Sequence, residues 1–201
     1  SKNLIHGYYA SVTYMDVLIG ELINGLDELG LRKNTTIVLW SDHGYFLGEH
    51  GFWCKHSTFQ EAAKIPFIIS SPNYVQNKKT DSFTELVDLY PTLCEIAKIT
   101  PPSYIHGKSL TPVLKNPSIS LKNEIYTRYK EGEAIVDKNY SYTEFYRGDK
   151  YLGNMLYDMN KDIKQNTDIA KLPINKGLVK KYSEKLQIMR DFVNKDYLEN
   201  K

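Results

Sequence analysis

Residues 35–44 read TTIVLWSDHG, and this segment decides the fold class. Its first half is a run of β-branched and apolar residues, which predicts a buried strand. A helix is predicted before it, because apolar side chains recur three and four positions apart over residues 12–29, with Gly30 at the expected end. A second buried strand is predicted at 65–69 and a second helix at 84–97. Helices that accompany buried strands predict an α/β fold built on a mostly parallel sheet.

The chain changes character after a stretch rich in Pro, Ser and Lys at 101–117. Beyond it, short aromatic segments predict antiparallel strands at 124–129, 133–137 and 140–146. Apolar residues spaced for one helical face predict a closing helix through Val179, Tyr182, Leu186, Met189 and Val193. We therefore expect an α/β part at residues 1–115 and a small α+β subdomain at 116–201.

Composition excludes several classes of function. The 26 Lys and Arg nearly balance the 24 Asp and Glu, and no basic stripe is seen, so nucleic acid is not an expected partner. No apolar run approaches the roughly 20 residues that span a bilayer. The two cysteines, Cys54 and Cys94, fit neither a disulfide framework nor a zinc-binding pair.

The polar residues that follow the first strand are the candidate site. In open α/β sheets, ligand groups collect beyond the carboxyl ends of strands, so Asp42 and His43 are placed to face a cation. The alternative is a turn in which Asp42 caps the backbone and His43 packs. The next residues include Gly48-Glu49-His50-Gly51, Lys55 and His56, in a stretch too rich in glycine for a regular element. Such loops often carry active sites on a rigid scaffold.

Together these motifs resemble the C-terminal half of type I sulfatases, which have the alkaline-phosphatase-like fold, and most nearly the iduronate-2-sulfatase branch. The resemblance rests on SDHG at 41–44, GEHG at 48–51 and Lys55. Further similar segments are YYASV at 8–12, ELVDLYPTL at 85–93 and LYD at 156–158. The resemblance implies a mostly parallel sheet with flanking helices. It also implies a hydrolase that cleaves sulfate esters on a sulfated sugar or uronic acid.

The resemblance also implies roles for single residues. Asp42 and His43 would bind Ca²⁺, and Lys55 would bind a sulfate oxygen as a catalytic residue. A cation and an ammonium would stabilise the negative charge that gathers on a sulfate ester during hydrolysis. Imidazole alone suits zinc or manganese better, so the choice of calcium rests on the family. Tyr45 and His56 are further candidates for substrate binding, with packing or shaping of the loop as the alternative for each.

One required group is not found in the sequence. Sulfatases use a formylglycine made from Cys or Ser in a Cys/Ser-x-Pro-x-Arg motif, and neither cysteine begins such a motif. Ser70 is followed by Pro72 at the right spacing, but Tyr74 replaces the arginine. The family's Asp-Asp calcium pair is not found either. The expectation is therefore a C-terminal fragment, inactive alone, whose partners are the N-terminal half and a sulfated carbohydrate. The family implies a periplasmic or secreted bacterial location, or a lysosomal one in an animal.

Two other interpretations remain open. A two-metal phosphodiesterase or phosphatase of the same superfamily also uses a Ser-Asp-His-Gly turn, with histidine as a zinc ligand. Lys55 argues against it, because a two-zinc site would not need that lysine. The chain could also be a non-catalytic packing or glycan-binding module. Tyr140, Tyr142 and Tyr146 share one predicted strand face and could stack on sugar rings, although cross-strand packing is favoured.

Overall fold

The computed structural model of the chain describes residues 1–199. Helix α1 spans Lys2–Glu28, and Gly30 follows its end at a φ of +68°, a left-handed conformation that suits glycine. Strand β1 (Ile37–Trp40) then pairs with β4 (Phe67–Ser70). The predicted helix is confirmed, although it begins ten residues before the periodic stretch at 12–29. Both strands are confirmed, but their predicted burial is wrong within the described chain, because Trp40 and Ile68 are exposed.

The pairing of β1 and β4 is antiparallel, whereas the sequence predicted mostly parallel neighbours. Parallel neighbours need a crossover of a dozen or more residues, usually a helix, that returns to the opposite end of the sheet. Here Trp40 and Phe67 are register partners, so the connection leaves and returns at the same end. That connection holds only short elements: β2 (Phe46–Leu47), β3 (Trp53–Cys54) and α2 (Gln60–Ala63).

The second predicted helix begins later than expected. Leu86–Asp88 form a 3₁₀ turn that leads into α3 (Leu89–Ile96). The turn is fixed by a capping box, in which the side chains of Glu85 and Asp88 each accept a backbone N–H of the other residue. The stretch predicted as a loop contains a further helix, α4 (Thr111–Lys115), which ends at the predicted subdomain boundary. The division into 1–115 and 116–201 stays a prediction.

A four-stranded antiparallel sheet follows, in the order of the sequence. Its strands are β5 (Glu124–Tyr129), β6 (Gly132–Asp137), β7 (Tyr140–Arg147) and β8 (Lys150–Asp158). The three predicted strands are confirmed, but β8 was not predicted as a strand. Its apolar alternation is interrupted at Gly153 and Asn154, opposite a register shift at Phe145 and Tyr146.

Helix α5 (Lys176–Glu199) packs across this sheet. Ile135, Tyr142 and Leu156 of the sheet meet Tyr182 and Leu186 of the helix, and all five side chains are buried. The predicted helical face is therefore confirmed for Tyr182 and Leu186, with Val179 and Met189 packed beside them.

The tyrosines of β7 lie under α5. The Tyr142 hydroxyl donates to Glu144 (2.8 Å), and Arg190 of the helix pairs with both Glu144 and Glu133. The Arg190 guanidinium also lies 4.6 Å from the centre of the Tyr146 ring. Burial raises the pKa of Tyr142, which keeps its hydroxyl a donor. This face is therefore a packing surface, as favoured from the sequence.

Much of the first part of the chain exposes apolar side chains. Along α1 these are Leu4, Tyr9, Val12, Met15 and Leu22. In the β1–β4 pair, Trp40 on β1 is 49% exposed and Ile68 on β4 is 56% exposed. Within residues 1–199, no other element covers these apolar side chains. Exposed apolar side chains of this kind are typical of a surface that binds another part of a protein. No helix of the described chain is long and apolar enough to cross a membrane.

Candidate active site

The motif that follows β1 is fixed by a close backbone approach at Gly44. Its N–H donates to the carbonyl oxygen of Ala62 in α2 (2.7 Å). A Cβ atom built on Gly44 would lie 2.0 Å from the carbonyl oxygen of Glu61 and 2.9 Å from that of Lys64. Only glycine fits here, and this contact sets the direction in which Asp42 and His43 leave the strand.

The hydrogen bonds of His43 determine which ring nitrogen carries the proton. Nδ1 lies 2.6 Å from the carbonyl oxygen of Gly44, and because a carbonyl only accepts, Nδ1 must donate. A neutral ring then leaves the lone pair on Nε2, where it accepts a hydrogen bond from the Lys55 ammonium at 2.6 Å. Oδ2 of Asp42 lies 3.4 Å from the same nitrogen. Asp42, His43 and Lys55 therefore meet at the carboxyl end of β1, on the same side of the sheet.

The donor atoms fit part of a site for a divalent cation. A carboxylate oxygen and an imidazole lone pair, 3.4 Å apart, are both atoms that coordinate metals. Calcium prefers six to eight ligands, mostly oxygens. In the described part of the chain, no group of three or more His, Cys, Asp or Glu side chains is arranged to hold an ion. This chain therefore supplies two candidate ligands and not a complete coordination sphere.

Tyr45 directly precedes β2, in which Phe46 is the register partner of Cys54 on β3. Its hydroxyl is 3.6 Å from the Cys54 sulfur, and this hydrogen bond raises the pKa of Tyr45. The ring stacks on Tyr8 of α1, with ring centres 5.0 Å apart and planes inclined by 29°. Tyr45 remains 38% exposed, so part of its surface is open to a ligand. Tyr8 is an aromatic neighbour to which sequence reasoning assigned no role.

His56 contacts the C-terminal sheet. Its ring lies parallel to that of Tyr129, at the end of β5, with centres 5.4 Å apart and planes inclined by 14°. Nearby, the buried hydroxyls of Thr58 and Thr143 lie 3.4 Å apart. Tyr129 was not identified from the sequence, because nothing local to it signals a contact with a loop so far away along the chain.

Glu49 and His50 shape the loop. The Glu49 carboxylate accepts the backbone N–H of Leu47 at 2.6 Å. The His50 ring stacks on Phe59 with centres 4.2 Å apart, and its Nε2 lies 3.7 Å from a Glu61 oxygen. These residues border a small core in which Phe46, Phe59 and Ala62 pack against Tyr157 of β8. The site loop is therefore anchored on the C-terminal sheet.

Comparison with known proteins finds similar sequences and structures. Residues 1–99, which include Asp42, His43 and Lys55, match the family model described as Sulfatase. A sulfatase of Formosa agariphila is 33% identical over 165 residues, which make up 82% of this chain and 32% of the relative. An N-acetylglucosamine-6-O-sulfatase of Bacteroides thetaiotaomicron is 32% identical over 99% of this chain and 37% of its own length.

A solved structure supports the fold. A protein in complex with its substrate D-glucosamine-2-N,6-O-disulfate matches 94% of this chain with a TM-score of 0.80 and 30% identity, although the match covers only 40% of that protein. This likeness confirms the alkaline-phosphatase-like α/β class with a small antiparallel sheet. The chain spans 32% and 37% of the two curated relatives, and neither is named an iduronate-2-sulfatase. By these matches, the chain belongs to the sulfatase family.

Proposed function

We propose that the protein to which this chain belongs is a sulfuric ester hydrolase, and that the chain forms the C-terminal part of its active site. The observation that carries this proposal is the meeting of Asp42, His43 and Lys55 at the end of β1, within the segment that matches the family. A carboxylate, an oriented imidazole and an ammonium at one point are suited to a tetrahedral anion and its counter-cation.

Lys55 is the residue of this chain that acts on the reacting group. Its ammonium binds a sulfate oxygen and stabilises the negative charge that grows as the ester bond breaks. His43 is held by the bond from Nδ1 to the Gly44 carbonyl, so Nε2 keeps its lone pair directed at the site. A calcium ion, when bound, would add positive charge at the sulfate oxygens. Asp42 and His43 would hold it from this chain, while its other ligands and the formylglycine nucleophile would lie elsewhere in the protein.

The proposed substrate is a sulfated carbohydrate. The relative named N-acetylglucosamine-6-O-sulfatase and the structure solved with a glucosamine disulfate support a sulfated amino sugar. A uronic acid, as in the iduronate-2-sulfatase branch, is the narrower proposal from the sequence motifs. Tyr45 and His56 would contact the sugar, since both are exposed. His56 follows Lys55, and the Tyr45 hydroxyl lies 3.6 Å from the sulfur of Cys54, which precedes Lys55. Such a substrate fits a periplasmic or secreted location in a bacterium, or a lysosomal one in an animal.

The test uses the complete protein and the 201-residue chain side by side. Sulfate release from 4-nitrophenyl sulfate and from glucosamine 6-sulfate is expected for the complete protein and not for the chain, which lacks a formylglycine motif. Faster hydrolysis of 4-nitrophenyl phosphate by the complete protein would favour the phosphatase alternative. Turnover of the aryl sulfate by the pure chain would overturn the assignment of the nucleophile to another part of the protein.

A further inference from the structure

The turn between β5 and β6 packs against the site loop. Besides the stacking of His56 on Tyr129, Gly132 at the start of β6 lies close to Phe145 of β7 and to Thr58 of the loop. A Cβ atom on Gly132 would lie 2.9 Å from the Phe145 ring and 3.4 Å from the Thr58 methyl group. The turn therefore lies at a fixed position beside the residues that follow Lys55.

This turn carries an unpaired cation. Lys130, exposed at the tip with a φ of +49°, places its ammonium 5.6 Å from the centre of the Tyr129 ring. The neighbouring arginines are paired, Arg128 with Glu133 and Arg147 with Glu131, each at 3.4 Å. Among the described side chains, Lys130 has no ion-pair partner. Its charge is thus available to a ligand.

The chemistry of this surface matches a sugar with a second negative charge. The exposed His56 ring, supported by Tyr129, offers a partly apolar surface of the kind on which sugar rings pack. The Lys130 ammonium, over the Tyr129 ring, attracts sulfate or carboxylate. The chain joins this surface directly to the proposed sulfate-binding residue, since His56 follows Lys55.

We propose that His56, Tyr129 and Lys130 form a second subsite, which binds the anionic group of the sugar that is not hydrolysed. This inference rests on the proposed function and extends it. It assigns to the C-terminal sheet a part in choosing substrates with two anionic groups over those with one. Lys130 is the specificity-determining residue of this subsite, and Tyr129 positions both the ammonium and His56.

The experiment compares two substrates of the complete protein. D-glucosamine-2-N,6-O-disulfate carries two anionic groups, and 4-nitrophenyl sulfate carries one. In Lys130→Gln, the ratio of kcat/KM for the disulfate to kcat/KM for the aryl sulfate should fall about fivefold, the upper end for an exposed ion pair. The loss should appear in KM and shrink at high salt. Lys138→Gln is the matched control, because Lys138 is an exposed lysine in the β6–β7 turn, at the other end of the sheet.

The outcomes separate the subsite from the underlying activity. If the wild-type protein hydrolyses neither substrate, the proposed function is wrong, and the subsite proposal that rests on it is wrong as well. If it hydrolyses both, and Lys130→Gln keeps the wild-type ratio, the subsite alone is wrong. An equal loss on both substrates in Lys130→Gln would also overturn it. Tyr129→Leu provides the second variant and should lower the same ratio, because it removes the surface beneath the ammonium.

Discussion

The Lys55 ammonium lies 2.6 Å from Nε2 of His43, the ring nitrogen left without a proton by the bond from Nδ1 to the Gly44 carbonyl. The lone pair of His43 Nε2 thus accepts a hydrogen bond from Lys55. An oxygen of the Asp42 carboxylate lies 3.4 Å from the same nitrogen. Because Nε2 has a single lone pair, Lys55 and a metal ion compete for it. This competition lets the roles of the three residues be separated by experiment.

Lys55→Ala in the complete protein should mainly lower kcat. The ammonium acts on charge that develops in the transition state, and loss of one such donor costs about a hundredfold to a thousandfold in kcat. Steady-state kinetics with 4-nitrophenyl sulfate measure the change, and Lys78→Ala serves as a control at an exposed lysine outside the site. A rise in KM with unchanged kcat would show that Lys55 binds the ground state and the transition state equally and does not act selectively on the transition state.

Asp42→Ala should remove bound metal together with activity. The carboxylate is the charged oxygen ligand that this chain offers beside His43, and calcium binds chiefly through such oxygens. Elemental analysis of the purified complete protein gives the metal content. Lys55→Ala is the matched comparison, because it should keep the metal while losing turnover. Full metal content in Asp42→Ala would contradict its assignment as a ligand.

The proximity of Asp42, His43 and Lys55 could be predicted from the sequence because its signal is local. Asp42 and His43 follow an apolar strand directly, and Lys55 lies on the same short connection, so their motif could be read without knowing any distant contact. The His43 ring contacts Asp42, Gly44 and Lys55, which are all polar partners.

The contacts that join distant residues could not be predicted in the same way. The stacking of His56 on Tyr129 and the burial of Phe59 against Tyr157 depend on how the C-terminal sheet docks, which no periodicity encodes. The antiparallel pairing of β1 and β4 was missed for a related reason. Buried strands look alike in sequence whichever way their neighbours run, and the direction is set by where the connection returns.

Gly44→Ala should unfold the site loop. The added Cβ would meet two backbone carbonyl oxygens, and the backbone has no flexible side chain that can move away. We expect a loss of about 3 kcal/mol or more in the free energy of unfolding. Gly7→Ala is the control, because nothing lies within 4 Å of its Cβ position in α1. This control should be stabilising by up to about 1 kcal/mol through helix propensity. Equal stability of the two variants in urea unfolding would contradict the close approach at Gly44.

Lys122→Met should destabilise the junction between α3 and β5. The Lys122 ammonium pairs with Glu85 and lies 2.8 Å from Asp88, whose side chain is fully buried. Methionine fills a similar volume but leaves a buried carboxylate without its cation, which costs about 3–5 kcal/mol. Lys138→Met, at an exposed turn, should change the free energy of unfolding by less than about 0.5 kcal/mol. A cost for Lys122→Met as small as that of the control would show that water reaches Asp88.

The contact between Asp137 and α5 should make the stability of the C-terminal sheet and helix depend on pH. Burial alone would raise the pKa of Asp137, but stronger opposing effects lower it. The carboxylate accepts the Tyr182 hydroxyl at 2.5 Å and the backbone N–H groups of Asn139 and Tyr140 at 2.8 and 2.9 Å, and Lys185 lies nearby. The pKa is therefore lower in the folded chain than in the unfolded one, where it is about 3.9.

A lowered pKa means that ionised Asp137 stabilises the fold above about pH 4, and that this contribution is lost as the pH falls through the folded pKa. Asp137→Asn keeps an oxygen acceptor but has no such dependence. In urea unfolding, the wild type should exceed this variant in stability by a larger margin at pH 5.5 than at pH 3. Asp149→Asn, in the exposed β7–β8 turn, should show no comparable change with pH. If the difference in free energy of unfolding between wild type and Asp137→Asn is equal at both pH values, the charge of Asp137 does not stabilise the sheet and helix.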